Sequence, residues 1–204
     1  FPQDTLRVMS YNLLNFPNGR NDCGTNLLVP GRWDTLRKSV QYVKPDALLV
    51  CELQTEAGAD NILNNSLNVN GITYYQRAAF VPNQSTGYKE LNNMFFYNSQ
   101  KMTLYKQSEI LTDVRDIGEY VVYMNDPNLS FYNDTLFLRF FGTHLKAAIT
   151  DTAERAIECT AIRNRVDALP IGGNYIFGGD FNFYTSAEPG YQKLTTGGIN
   201  KFND

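Results

Sequence analysis

The 204-residue sequence holds one histidine, three cysteines and one tryptophan, and it has no apolar run long enough to cross a membrane. The cysteines, Cys23, Cys51 and Cys159, and the single histidine show no zinc-ligand spacing. An odd cysteine count cannot pair fully within one chain. Cys51 falls in an apolar strand and Cys159 in a helix, so both read as small buried residues. Cys23 lies in a polar loop and is expected to form no disulfide. An excess of positive charge is also missing: the net charge is −3 and the pI is about 5.2. A protein that grips nucleic acid mainly through phosphates shows a basic footprint, so any such contact here is local or assisted by a metal. There is no internal repeat and no low-complexity tract; the polar loops 17–31 and 81–92 are the only candidates for disorder. The chain opens Phe1-Pro2-Gln3-Asp4-Thr5 without a methionine. One reading is an end left by signal-peptide removal, implying a secreted or periplasmic protein; the other is a trimmed start.

Aromatic residues, in contrast, are plentiful at 13%, which favours half-buried pleated surfaces. Strands are expected at 6–12, 47–52, 72–80, 93–98, 102–111, 119–124, 134–145 and 175–182. Trp33, Leu36, Val40 and Val43 recur at helical spacing over 32–43, with Pro45 beyond the end. A further helix is expected within 56–67. Asp151 and Glu154 have capping-box spacing and open a helix that runs to Leu169, before Pro170. Ala47 to Glu52 is a short continuous apolar run, as in a strand buried on both faces. The pattern is layered α/β with some antiparallel pairing, in one domain spanning 1–204.

Four of these strands end in polar residues that an apolar strand does not need: Ser10-Tyr11-Asn12, Val50-Cys51-Glu52, Gly142-Thr143-His144 and Gly178-Gly179-Asp180-Phe181-Asn182. In α/β sheets, ligands gather beyond strand ends, where loops diverge. Taken singly each has a bland reading. Glu52 is then a carboxylate that has reached the surface, Asn12 a turn residue, His144 a structural histidine, and Asp180 and Asn182 turn formers. Together they make a site for a hard cation and a phosphate. Asp180 and Asn182 stand two apart, so an extended strand points both to one face. Lys146 follows His144 closely enough for both to meet a phosphate. A cation held through few oxygen ligands and completed by substrate phosphate is Mg²⁺ in character, with Mn²⁺ or Ca²⁺ as alternatives.

The segments Ser10-Tyr11-Asn12, Cys51-Glu52-Leu53-Gln54, Gly142-Thr143-His144-Leu145 and Gly179-Asp180-Phe181-Asn182, in this order, resemble the endonuclease/exonuclease/phosphatase superfamily, which includes the pancreatic-type deoxyribonucleases. The resemblance covers almost the whole chain, and Gly-Asp-Phe-Asn is its most specific element. It implies a four-layer α/β/β/α sandwich of two packed mixed β-sheets. It also implies roles: Glu52 as principal metal ligand, Asn12 supporting it, Asp180 and Asn182 orienting water and phosphate, and His144 binding phosphate. The implied activity is metal-dependent hydrolysis of phosphate esters, foremost a secreted phosphodiesterase or nuclease attacking phosphorus in line with water. Two alternatives stand beside it. One is a phosphomonoesterase or lipid-headgroup phosphodiesterase of the same fold, for which Ser130-Phe131-Tyr132 is the one candidate membrane-contacting loop. The other is a non-catalytic module that retains the fold.

Two departures accompany the resemblance. The family closes in a Ser-Asp-His-like segment, whereas this sequence closes Gly198-Ile199-Asn200-Lys201-Phe202-Asn203-Asp204. The expectation is an incomplete C-terminal edge, open to a partner chain. Around Lys89-Glu90-Leu91-Asn92-Asn93 the nucleases carry Arg or Tyr for substrate contact, so the identity of the ester stays open.

Overall fold

Strand β2, Ala47–Leu53, shows how the sequence builds the layers. All seven residues are buried, and successive side chains point to opposite faces. Leu48 and Val50 join Leu36 and Val40 of α1 (Arg32–Val43) and Ala59 and Ile62 of α2 (Glu56–Ile62). Ala47 and Leu49 face the other way, into a layer with Phe95, Tyr120 and Phe140. A continuous apolar run is what a strand covered on both sides requires.

This computed structural model describes residues 5–18, 31–85, 91–131, 134–170, 173–196, 198 and 200–203. Within them the strands form two four-stranded mixed sheets. The first holds β1 (Val8–Phe16), β2, β4 (Asn92–Asn98) and β3 (Tyr75–Arg77), in the order β1-β2-β4-β3. The second holds β5 (Met102–Ile110), β6 (Ile117–Met124), β7 (Phe137–His144) and β8 (Tyr175–Asp180), in sequence order. β1 and β2 pair in parallel, as do β7 and β8; the other neighbours are antiparallel. Parallel neighbours need a long crossover, usually helical, and α1 and α4 (Thr152–Asp167) supply the two crossovers. Cys159, Ile162 and Val166 of α4 and Leu194 of α5 (Pro189–Thr195) pack on Ile117 and Phe141. The three apolar layers separate helix, sheet, sheet and helix, which is the expected α/β/β/α sandwich.

The sheets close tightly over Leu49. A Cβ at Gly178 would stand 2.8 Å from Leu49 Cδ1, and one at Gly142 would stand 3.2 Å from Cδ2. This brings β1 and β2 against β7 and β8, with the C-terminal ends of both parallel pairs together. β8 forms an outer edge of its sheet among the described residues. A groove of about 820 Å³, lined in part by Phe177, Phe183, Tyr191 and Phe202, runs beside it.

Some local expectations are corrected. β1 continues to Phe16 because it bulges, with a register shift between Asn12 and Phe16. β3 is confined to Tyr75–Arg77. Before it, the Asn68 side chain takes both backbone groups of Tyr75, donating to its carbonyl and accepting from its amide. Asp151 does precede α4 but makes no side-chain cap; its oxygens accept from Lys146 Nζ and Thr150 Oγ1 instead. α5 and the short α3 (Pro127–Phe131) had no expectation. Phe131 is exposed. Cys51 and Cys159 are buried and free. Cys23, Tyr132, Lys89, Glu90 and most of the polar loop 17–31 lie outside the described residues.

Candidate active site

The bulges at the ends of β1 and β2 decide what Glu52 meets. Leu14, Asn15 and Glu52 are left-handed, with φ of 50°, 55° and 60°, a conformation uncommon for residues other than glycine and often found near functional sites. β2 loses register with β4 between Val50 and Leu53, so the strand bends where Glu52 emerges. Asn15 thereby turns both of its N–H donors to one oxygen: its backbone N lies 3.0 Å and its Nδ2 2.9 Å from Glu52 Oε2. Arg32, at the start of α1, holds the bulge by donating to the carbonyls of Leu13, Leu14 and Asn15.

Asn12 joins the two sheets. Its Nδ2 donates to Glu52 Oε1 and to Asp180 Oδ2, both at 2.9 Å. Its Oδ1 accepts from Leu14 N at 2.8 Å, which fixes the side chain within the bulge. The amide thus stands between two carboxylates that would otherwise repel.

His144 and Asp180 are register partners at the ends of β7 and β8, and Leu145 N donates to Asp180 O at 2.9 Å. The register depends on Gly179, whose φ is 148° and whose Cβ, if present, would lie 1.9 Å from Thr143 O. His144 is 3% exposed. Its Nε2 lies 3.6 Å from Glu52 Oε1, and Nδ1 is buried without a partner among the described residues. Burial first, and then the neighbouring Arg115 charge, lowers its pKa to about 4 against a partial rise from Asp180. The ring is therefore neutral at physiological pH. Asn182, left-handed at φ 50°, donates from its backbone N to Asp180 Oδ1 at 3.2 Å and from Nδ2 to Leu145 O at 2.9 Å.

Asn12, Glu52, His144, Asp180 and Asn182 are thus brought together at one end of the sheet pair. The Lys146 ammonium, two residues beyond His144, pairs with Asp151. Two participants were missed. Asn15 was hidden because only a bulge aims it at Glu52. Arg115 donates from Nη1 to Leu145 O at 2.7 Å and reaches the His144 carbonyl at 3.4 Å; it comes from the turn between β5 and β6, far away in sequence. The repeat of asparagine at 12 and 15 was the one available signal for the first; nothing in the sequence marks the second.

No family model matches the sequence, and no curated protein matches it. Solved structures do match in shape. An endonuclease/exonuclease/phosphatase family protein from Bacteroides thetaiotaomicron superimposes with a TM-score of 0.66 at 17% identity, covering 92% of this chain and 67% of that one. The mannosyl-6-phosphatase of the same organism gives 0.66 at 18% identity, covering 93% and 69%. D. rerio TDP2, complexed with a single-strand DNA product, gives 0.60 at 15% identity, covering 89% and 62%. This chain thus spans roughly two thirds of each of these longer structures. Two facing mixed sheets, crossed by helices on their outer sides, give the chain a deoxyribonuclease I-like α/β/β/α fold, the shape it shares with these proteins.

Proposed function

We propose that this protein hydrolyses phosphate esters with the help of a divalent cation, and that phosphodiesters, nucleic acid among them, are its substrates. One observation carries the reading: the Asn12 amide bridges Glu52 and Asp180 at 2.9 Å each, with neutral His144 beside them. A structural role needs no second carboxylate, and setting one beside the buried Glu52 is costly.

The donors fit a hard cation. Glu52 accepts three N–H groups, from Asn12 and Asn15. A carboxylate offers about four acceptor sites, so room remains for one further partner. Among the described residues no group of three or more His, Cys, Asp and Glu side chains forms a metal cage. Mg²⁺ suits such a sparse site, since it binds through one or two carboxylates and fills its shell with water and substrate oxygens; Mn²⁺ and Ca²⁺ are the alternatives. Glu52 would hold the ion and Asn12 would orient Glu52. Such an ion, when bound, neutralises charge on phosphoryl oxygens.

The chain's own residues would do the rest. Asp180 orients the attacking water and takes up its proton, a contribution typically worth about 100- to 10,000-fold. Asn182, anchored on Leu145 O, keeps a second amide hydrogen for a phosphoryl oxygen. The His144 N–H donates to the same phosphoryl group, with Lys146 adding charge nearby. The diester reading draws support from the likeness to TDP2, solved with a single-strand DNA product. A monoester is the second reading, supported by the likeness to a sugar phosphatase. Single-stranded DNA, RNA, a phosphoinositide, sphingomyelin and mannose 6-phosphate should be assayed with Mg²⁺, Mn²⁺ and Ca²⁺ and again with EDTA. Turnover of a diester that EDTA abolishes is expected. Absence of turnover on every ester with every ion would leave the non-catalytic module as the better reading.

A further inference from the structure

Two loops leave the ends of β7 and β8: residues 145–148 after His144, and residues 181–188 after Asp180. Arg155, on α4, ties them together. Its side chain is 0% exposed. Nη1 donates to Lys146 O at 2.9 Å and to Ala148 O at 2.7 Å. Nε donates to Glu188 Oε2 at 2.8 Å. The other oxygen of Glu188 accepts from Tyr184 N at 2.8 Å, and the guanidinium lies 5.5 Å from the centre of the Tyr184 ring. One cation therefore holds the first loop directly and the second through Glu188. Glu158, three residues further along α4, accepts from Lys146 N at 2.9 Å and closes the same loop from below.

A helix docking on a sheet needs none of this. The inward stripe of α4 already has Cys159, Ile162 and Val166 in the core. Well-packed apolar residues in place of a buried ion pair are often neutral or stabilising. The Arg155 guanidinium is a rigid fork whose donors meet three acceptors in fixed directions. What those acceptors share is position: each lies within eight residues of His144 or Asp180, on the chain segments that carry Lys146 and Asn182.

We propose that Arg155 and Glu188 are positioning residues of the candidate active site. They act through the backbone of the two loops and set Lys146 and His144 against Asn182. Neither touches the reacting atoms. The kinetic consequence rests on the hydrolase reading given above; the geometric consequence does not.

The test uses Arg155→Lys and Glu188→Gln in the full protein. Lysine keeps the charge but is a point donor and cannot span three acceptors. Glutamine keeps an acceptor for Tyr184 N and lacks the charge. His144 is the only histidine of the chain, so its imidazole gives one assignable proton–carbon signal. The side-chain amide of Asn182 gives a second, independent signal. Bis(4-nitrophenyl) phosphate with Mg²⁺ serves as the kinetic probe, beside a melting curve. In folded Arg155→Lys both signals should move, and kcat should fall by about 10- to 100-fold with little change in KM. Glu188→Gln should show the same pattern to a smaller degree. A lowered melting temperature with both signals at their wild-type positions and kcat retained assigns the pair to stability alone and overturns the proposal. If Arg155→Lys does not fold, Glu188→Gln is judged by the same criteria; if neither folds, the pair is structural and the proposal fails. If the wild-type protein turns over no ester, the failure belongs to the hydrolase reading. The two signals alone then decide the positioning role.

Discussion

Asn12 donates its side-chain amide to Glu52 Oε1 at 2.9 Å across two adjacent parallel strands. The same nitrogen reaches Asp180 Oδ2 in the opposite sheet, so one neutral side chain sets the spacing of both carboxylates. The two sheets meet here through polar atoms, while a few residues away they meet through Leu49 and glycine.

Replacing Asn12 with alanine removes both of these bonds and leaves the carboxylates facing each other. Ligand-orienting partners are typically worth about 10- to 100-fold in metal affinity. Asn12→Ala is therefore expected to weaken Mg²⁺ binding by that factor, measured by isothermal titration, while the circular dichroism spectrum is unchanged. Wild-type affinity in this variant would remove Asn12 from the ion's surroundings.

His144 supplies a pH signature. Its pKa is lowered to about 4 by burial and by Arg115, whereas an unfolded histidine titrates near 6.5. Between these values the unfolded chain binds more protons than the folded one, so stability rises with pH across the window and falls as pH drops from about 6.5 towards 4. The full effect is on the order of 3 kcal/mol. Without added metal, the single imidazole signal should hold its neutral position down to about pH 5 and titrate near 4. A midpoint near 6.5 would show a solvated ring and contradict the buried neutral one.

Much of the layered arrangement was legible because apolar periodicity records burial. The run Ala47 to Glu52 reads as a strand covered on both faces, and it is one. The residues at the strand ends were legible for the converse reason: a carboxylate or amide at the end of an apolar run has no packing role to explain it. Asn15 was not legible, because its aim depends on left-handed backbone at Leu14 and Asn15, which no side-chain pattern encodes. Arg155 was not legible either. An arginine on a helix reads as solvated, and only the tertiary fold brings Lys146 O, Ala148 O and Glu188 around it. Asp151 misled for a local reason, since Lys146 competes successfully for the carboxylate that would have capped α4.

Gly179 is the residue on which the position of Asp180 depends most narrowly. At φ 148° any Cβ would lie 1.9 Å from Thr143 O, a backbone atom of the paired strand. Gly179→Ala must either change this conformation or separate β7 from β8. Backbone strain of this kind costs about 1–3 kcal/mol per residue before any clash is counted. Urea unfolding should show a loss of more than about 2 kcal/mol, and turnover should fall in whatever fraction stays folded. Wild-type stability and activity in this variant would mean that the β7–β8 register is looser than described.

In the proposed function, Glu52 holds a divalent cation on which hydrolysis depends. The most direct test is Glu52→Ala in the full-length protein, assayed at saturating Mg²⁺ against the best substrate of the wild type. Glu52 sits near the end of β2 and its partners, Asn12 and Asn15, are polar groups rather than apolar core side chains, so the fold should survive, as judged by an unchanged circular dichroism spectrum. A folded protein with no Mg²⁺-dependent turnover is expected. A folded Glu52→Ala variant that turns over substrate at the wild-type rate would show that hydrolysis does not depend on a cation held by Glu52.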